Sequence, residues 1–328
     1  MSTTRKPASF VAVLGLAWVL TLLLAPMVGS QSLQVGDVLA GDSVAARIFW
    51  EIRMPRVVLA LLAGGLLAVA GAAFQTLFRN PLAEPYTLGV AGGAALGAVL
   101  AMPLANVLDV PGLPIVALAS FAGALAVSLL ILGLARSARG LETHTLLLAG
   151  IAVSLSTSAV ILFIQYLSDF TRTFRIVRWM MGGLSVVGYR EVLWVLPWAV
   201  LGAAVLFLLR RDLDLLLAGE EVASSRGLDL GRVRVTVLGS VSLMVGALVA
   251  ITGPIGFVGL IVPHILRRWV GHGHLALIPA CVLGGGIFLC LCDLAARTIM
   301  APAELPVGVV TALLGGPFFL WLLVSARS

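Results

Sequence analysis

The sequence predicts an all-α polytopic membrane protein with about ten transmembrane helices per subunit, and three observations carry this prediction. Hydrophobic residues make up 60% of the 328 residues, whereas charged residues make up only 11%. A soluble protein carries roughly 25% charged residues, so this chain has too few to cover a surface in water. The apolar residues also fall in runs that reach or approach spanning length, separated by short polar segments.

The ten predicted spans can be justified in order along the chain. They occupy residues 10–29, 56–77, 86–104, 114–135, 145–167, 192–209, 235–253, 255–270, 276–292 and 306–324. The first run follows a basic start, as in a signal peptide, but no A-x-A cleavage motif follows it, so we interpret it as an uncleaved span. The run at 255–270 is the shortest and is interrupted by Pro263.

The distribution of charge predicts topology rather than a nucleic-acid partner. The net charge is +6, but the cations are scattered between apolar runs instead of being clustered on one face. If both termini are cytoplasmic, most of the 21 Lys and Arg residues lie in cytoplasmic connections, as the positive-inside rule requires. The polar segments at 30–55, 168–191 and 210–234 are too short for an enzyme domain, so residues 1–328 are predicted to form a single domain embedded in lipid.

The residue patterns give no reason to expect catalysis, a metal or a cofactor in this chain. No phosphate-binding G-x-x-x-x-G-K-[ST], no G-x-S-x-G and no H-E-x-x-H occurs. Three cysteines share one apolar run. Three histidines near one loop have no Cys, Asp or Glu beside them to complete a metal site, so we expect a loop with solvated histidines. These residues are Cys281, Cys290, Cys292, His264, His272 and His274.

The connection after the second span predicts a stiff turn followed by a packing surface. In 78-FRNPLAEPYTLG-89, Pro81 and Pro85 bias the residues before them away from helix. Gly89, Gly93 and Gly97 follow at intervals of four, which predicts one helix face where another backbone can approach closely.

The segment at about 217–234 predicts a short helix between spans, bounded by Gly219 and Gly227. Acidic residues suit its first turn and a cation suits its last, while its middle is small. These residues are Glu220, Glu221, Ala223, Ser224, Ser225 and Arg226. An ordinary surface helix and a knob that fits a partner's groove explain this pattern equally well.

Three arginines on the predicted outer side run against the positive-inside trend. Arg53 and Arg56 precede the second span, and Arg297 follows the ninth. They fit an acidic partner or ligand outside the membrane, and they equally fit simple anchoring to lipid headgroups.

Several blocks of the sequence resemble the FecCD-type permeases. These blocks are "RMPRVVLALLAGGLLAVAGAAFQTLFRNPLAEPYTLGVAGGAALGA", "GPIGFVGLIVPHILRR" and "AELPVGVVTALLGGPFFLWLL". Members of that family are the membrane subunits of binding-protein-dependent ABC importers for ferric siderophores, haem and cobalamin. The resemblance covers nearly the whole chain, and it implies a type II ABC importer fold and an inner-membrane location.

The resemblance also implies partners and residue roles. It implies a homodimer with a path along its two-fold axis, two ATPase subunits that bind ATP and Mg, and a periplasmic binding protein. Residues 219–231 match the family's coupling helices, and Arg53, Arg56 and Arg297 match its docking arginines. In the family, two loops narrow the cytoplasmic end of the path. Asn80 and Leu82 match one of these loops, and Thr143 and His144 match the other. His144 departs from the small polar residue expected there.

Other functions and cargoes remain as alternatives. A secondary transporter would keep ionisable groups at mid-membrane depth to couple transport to an ion gradient, and the predicted spans contain none there. An intramembrane enzyme would need a constellation that the motifs do not supply. Within the family, a basic cluster at Arg172, Arg175 and Arg178 favours an anionic iron chelate, haem or siderophore, over cobalamin, although local anchoring explains these arginines as well.

Overall fold

The computed structural model describes residues 7–29, 36, 38, 43–86, 89–108, 114–138 and 143–325, and all the regular structure in these ranges is helical. The principal helices are α1 (Pro7–Leu24), α2 (Met54–Leu77), α3 (Val90–Leu108), α4 (Ile115–Ala138), α5 (Thr143–Tyr166), α6 (Phe170–Met180), α7 (Arg190–Leu208), α8 (Arg210–Ala218), α9 (Glu220–Ser225), α10 (Leu230–Thr252), α11 (Val258–Val270), α12 (His274–Thr298) and α13 (Val307–Ser325). A helical turn at Val44–Arg47 and a π-helical turn at Ile48–Arg53 lead directly into α2.

Each of the ten predicted spans coincides with one of these helices, which confirms the predicted fold class. Seven helical stretches in the described part of the chain are long and apolar enough to cross a membrane. The apolar stretches of α3 and α13 are shorter, at Val90–Leu104 and Val307–Leu322, and α11 has only 13 residues. The remaining elements, α6, α8 and α9, fall in the polar segments between the predicted spans.

The core of the bundle is the antiparallel pair α2 and α12. Nearly every residue of α2 is buried. Midway along the pair, a Cβ atom added to Gly64 would overlap the backbone carbonyl of Gly285, and one added to Gly285 would overlap the carbonyl of Gly64. Glycine at both positions therefore lets the two backbones touch, as at other close helix crossings in membranes.

A second close crossing joins α3 to α4. A Cβ on Gly93 would approach the carbonyl of Gly123, and one on Gly97 would overlap the carbonyl of Ala119. Gly89 differs from the other two, because it lies just before α3 with a φ of +86°. Its role is to turn the chain into the helix, whereas Gly93 and Gly97 pack against α4.

Burial separates a central group of helices from a peripheral one. Within the most apolar windows, 89% of the stretch containing α2 and 72% of α10 are buried, against 6% of the stretch containing α1 and 22% of that in α5. Large apolar side chains such as Leu16 and Leu155 are exposed on the peripheral helices. In a chain of this composition, such faces suit contact with lipid.

Candidate functional site

A largely apolar cavity of about 820 Å³ opens along one face of α13. Its other walls come from the turn after α2, the end of α6 and the segment 253–257 between α10 and α11. The lining residues are Leu82, Glu84, Tyr86, Met180, Met181, Pro254, Gly256, Phe257, Leu260, Gly308, Val309, Ala312, Leu313, Gly316, Phe319 and Leu320. The cavity is open on one side.

Phe257 and Glu84 fix the inner wall of this cavity. Phe257 adopts a left-handed conformation, with a φ of 69°, at the start of α11. Its backbone N–H donates to Oε2 of Glu84 at 3.1 Å, which ties the turn after α2 to α11. Its ring packs directly on Gly315, where a Cβ would overlap the ring atoms. Glu84 itself is only 5% exposed.

The environment of Glu84 changes its acidity. Burial raises the pKa of this carboxyl from 4.5 to about 7, and the hydrogen bond from Phe257 acts in the opposite direction. Sequence reasoning did not single out Glu84, although a carboxylate between two prolines and two apolar runs was the available signal.

The four predicted gate residues occupy different surroundings. Leu82 lines the cavity, and its backbone N–H donates to the side chain of Asn80 at 2.9 Å. Thr143 and His144 begin α5, where His144 is exposed, and the residues just before them lie outside the described part of the chain. Among the described lining residues of the cavity, neither of these two appears. A gating role for all four stays a prediction.

The three predicted docking arginines lie together at one end of the α2–α12 pair. Arg56 binds Asp293, with Nη2 2.9 Å from Oδ1, and its Nη1 lies 2.7 Å from Oε2 of Glu304. Arg297 lies one turn after Asp293 on α12, with its Nε 3.3 Å from Oδ2 of that residue. Arg53 donates to the carbonyls of the turn after α1, at Pro26 and Met27.

These arginines are more buried than a docking surface suggests. Arg53, Arg56 and Arg297 are 7%, 8% and 5% exposed, and Asp293 is fully buried. Sequence reasoning did not single out Asp293, although its spacing of four from Arg297 was the signal for an ion pair on one helix face. Docking by these arginines stays a prediction. To bind a partner, Arg56 and Arg297 would have to release their ion pairs with Asp293 and Glu304 or be shared between the two sets of carboxylates.

The predicted coupling segment forms α9, with Gly219 at its start and a φ of 83° at Gly227 just after its end. Its residues divide into two faces. Ala223 is fully buried against the rest of the chain, and Glu220 binds Arg234 of α10 at 2.7 Å. The exposed face carries Glu221, Val222, Ser224, Ser225, Arg226 and Gly227. The sequence placed Ala223 in the surface that a partner would meet, but the structure turns it inward.

One histidine of the predicted solvated loop is instead fully buried. His274, the first residue of α12, has its Nδ1 2.6 Å from Oδ1 of Asp214 and its Nε2 3.0 Å from Oγ1 of Thr76. Asp214 was missed because it lies 60 positions away in the sequence. Across the described ranges, no group of three or more His, Cys, Asp or Glu residues could hold a metal ion.

A second cavity, of about 350 Å³, lies beside the arginine cluster. Arg175 and Arg178 of α6 line it together with Arg56, Thr252 and Glu304. Asp169 caps α6 by accepting a hydrogen bond from the backbone of Arg172 at 2.7 Å. A cavity with several cations in its wall suits an anionic ligand better than a neutral one.

Comparisons with known proteins agree on one family. The profile of the FecCD transport family matches residues 16–325. The chain is 39% identical to the vitamin B12 import system permease protein BtuC of Escherichia coli O157:H7, over 98% of this chain and 97% of that protein. It is 41% identical to the hemin transport system permease protein HmuU of Yersinia pestis, over 85% and 84% of the two chains.

A solved structure has the same architecture. It is assigned to the metal-chelate type of ABC transporter and has an inward-facing conformation. The alignment covers 97% of this chain and 99% of that one, with a TM-score of 0.85 and 30% sequence identity.

Proposed function

The chain belongs to the FecCD transport family, the permease subunits of ABC importers, and we propose that its cargo is an iron chelate, either haem or a ferric siderophore. It is a multi-pass inner-membrane protein that works with ATPase and binding-protein partners. As a permease subunit it supplies no chemistry of its own. Cobalamin is the alternative cargo, because a relative of equal similarity imports vitamin B12.

The observation that carries this choice of cargo is the basic cavity at the arginine end of the bundle. Arg175 and Arg178 face it from α6, whereas Arg56, which also lines it, is paired with Asp293 and Glu304. Carboxylates of haem or of an acidic siderophore would be attracted to these cations, because electrostatic complementarity favours capture of a charged ligand. A cargo without such groups would gain less from them.

The larger apolar cavity suits the path itself. Its wall on α13 is open on one side, and a second copy of the chain across a two-fold axis would close it. A large cargo needs a wide passage with few strong contacts, so that it leaves after entering. Leu82, at the lining, together with Asn80, Thr143 and His144 would then narrow the passage at its cytoplasmic end.

The exposed face of α9 would dock in a groove of the ATPase subunit, which binds the ATP and Mg. In this arrangement both termini of the chain are cytoplasmic and the arginine cluster faces the periplasmic binding protein. Closure of two ATPase subunits would tilt the helices and move cargo inward. Arg53, Arg56 and Arg297 would pair with acidic residues of the binding protein.

The cargo can be tested with the complex of permease, ATPase and binding protein in proteoliposomes. We expect ATP-dependent uptake of haemin or of a ferric hydroxamate chelate, with cyanocobalamin transported poorly. The double variant Arg175→Gln/Arg178→Gln should lower uptake of the anionic cargo severalfold. Arg172→Gln on the same helix is the matched control, because Arg172 is absent from the described lining of this cavity.

Two results would contradict the proposal. Preferred uptake of cyanocobalamin, unaffected by the double variant, would favour the alternative cargo. Uptake by the permease alone, driven by a proton or sodium gradient without ATPase subunits, would replace the ATP-driven mechanism with secondary transport.

A further inference from the structure

A chain of hydrogen bonds joins the helix before the coupling segment to the end of α2. Asp214 of α8 accepts hydrogen bonds from the backbone N–H of His274 at 2.9 Å and from its Nδ1 at 2.6 Å. On the far side of the imidazole ring, Nε2 lies 3.0 Å from the hydroxyl of Thr76, which also lies 3.0 Å from the carbonyl oxygen of Ala72 on its own helix. Since a carboxylate only accepts, Nδ1 carries the proton and the ring bridges two helices through both nitrogen atoms.

From Thr76 the hydrogen bonds continue into the turn that lines the large cavity. The carbonyl of Thr76 accepts from the backbone of Arg79, and the carbonyl of Gln75 accepts from that of Asn80. Asn80 in turn holds the backbone of Leu82 at 2.9 Å. A shift of Thr76 therefore bears directly on the position of Leu82 in the cavity wall.

At the other end, α8 is joined to α9 by a single residue. Gly219 lies between them with a φ of 122°, and its carbonyl accepts from the backbone of Ala223 in α9. Leu213 and Leu216 anchor the buried face of α8. A displacement of the exposed face of α9 is therefore transmitted to α8 through the single residue Gly219.

The burial of the histidine argues that this arrangement has a purpose beyond filling space. His274 is 0% exposed and Thr76 is 1% exposed. An apolar side chain would fill this position at no desolvation cost, whereas a buried imidazole needs both of its partners. The order Asp–His–Thr is that of a hydrolytic triad, but the hydroxyl is closed off from any substrate, so the triad cannot act as a nucleophilic centre.

We propose that Asp214, His274 and Thr76 form a positioning link that transmits movement of the coupling segment to Leu82 at the gate. The link rests on the proposed function, since it presumes that α9 docks the ATPase. It acts through geometry: the three side chains hold α8, α12 and α2 in one register, so α8 cannot move without carrying the end of α2 with it.

The test measures the gate directly and needs no cargo. Leu82→Cys is introduced into the permease, which is reconstituted in vesicles with its ATPase subunits. The rate of labelling by a polar maleimide is compared between nucleotide-free and ATP–vanadate states. The native thiols of Cys281, Cys290 and Cys292 are buried and should label slowly. The ratio of the two labelling rates reports how far the gate follows the ATPase.

Thr76→Val removes the hydroxyl while keeping the shape of the side chain. We expect it to reduce the nucleotide-dependent ratio by at least about threefold, which is the scale of coupling lost along such networks. Thr76→Ser keeps the hydroxyl and should restore the ratio. Thr157→Val is the matched control, because Thr157 is also buried and its hydroxyl donates to the carbonyl of Ser154 on its own helix.

The outcomes separate the link from the proposed function. If Leu82→Cys alone shows no nucleotide dependence, the proposed gate is wrong and the link falls with it. If the labelling ratio of Leu82→Cys depends on nucleotide and adding Thr76→Val leaves that ratio unchanged, only the link is overturned. Should Thr76→Val not assemble, Asp214→Ala at the half-exposed end of the link gives the same test, and an unchanged ratio there overturns the link as well.

Discussion

Arg56 donates hydrogen bonds to Asp293 from two nitrogen atoms: Nη2 lies 2.9 Å from Oδ1, and Nε lies 3.1 Å from Oδ2. This contact changes how the docking hypothesis should be tested. Replacing Arg56 by Glu would confront two buried carboxylates, and breaking a buried pair typically costs about 3–5 kcal/mol. Loss of uptake in that variant would report damaged folding as much as lost docking.

Glu304 offers a sharper variant for docking. Its side chain is 49% exposed and competes for Arg56. If Arg56 binds an acidic residue of the binding protein, Glu304→Gln should tighten the complex by up to about fivefold, the range of an exposed ion pair. The dissociation constant for the binding protein, measured by surface plasmon resonance, checks this. Weaker binding would mean that the partner contacts Glu304 itself.

The two faces of α9 predict opposite kinds of defect. Ala223→Leu should overpack the interior, because Ala223 has no exposed surface, and lower stability by about 1–3 kcal/mol. Val222→Asp changes a side chain that is 41% exposed and should leave the melting temperature unchanged while the ATPase subunits dissociate. Thermal unfolding and co-purification of the ATPase distinguish the two. A stably folded Val222→Asp variant that retains its ATPase would remove α9 from the docking surface.

The crossing of α3 and α4 predicts a strong dependence on one glycine. Gly97→Ala should destabilise the protein by about 1–3 kcal/mol, because the added methyl overlaps the carbonyl of Ala119. Gly239→Ala in α10 is the control, since a Cβ there meets nothing within 4 Å and alanine favours helix. Melting temperatures of the two variants in detergent give the comparison. Equal stability of both would mean that α3 and α4 are not in backbone contact.

Glu84 predicts a pH dependence with a definite sign. Because the folded-state pKa is about 7 and the ordinary value is 4.5, the folded protein holds this proton more tightly than the unfolded chain. Stability from this group is therefore present below pH 4.5 and is lost as the pH rises to about 7, by at most about 3 kcal/mol. Glu84→Gln, a neutral mimic, should remove this fall. Parallel pH profiles for the variant and the parent would contradict the assignment.

The spans were predictable because hydrophobic runs of bilayer length are a local property of the sequence. The family resemblance added the ATPase and binding-protein partners, and the docking, gate and coupling roles that it implies stay predictions. Contacts between distant positions could not be read in this way. Arg56 reaches Asp293 from 237 positions away, and Asp214 reaches His274 from 60 positions away. Likewise, a helical segment as short as α9 has an inner and an outer face that only its packing decides.

The central pair of helices has one more consequence. From Arg56 to Thr76, α2 rises about 30 Å, which is the thickness of the hydrocarbon layer. Asp293 holds one end of this length and His274 the other, while Gly64 meets Gly285 between them. The polar contacts that join α2 to α12 thus lie a bilayer thickness apart. Sliding of α2 along α12 would therefore break both of these contacts together. During a transport cycle α2 and α12 should therefore move together as one rigid unit, and the thinly packed helices α1 and α5 should shift relative to it.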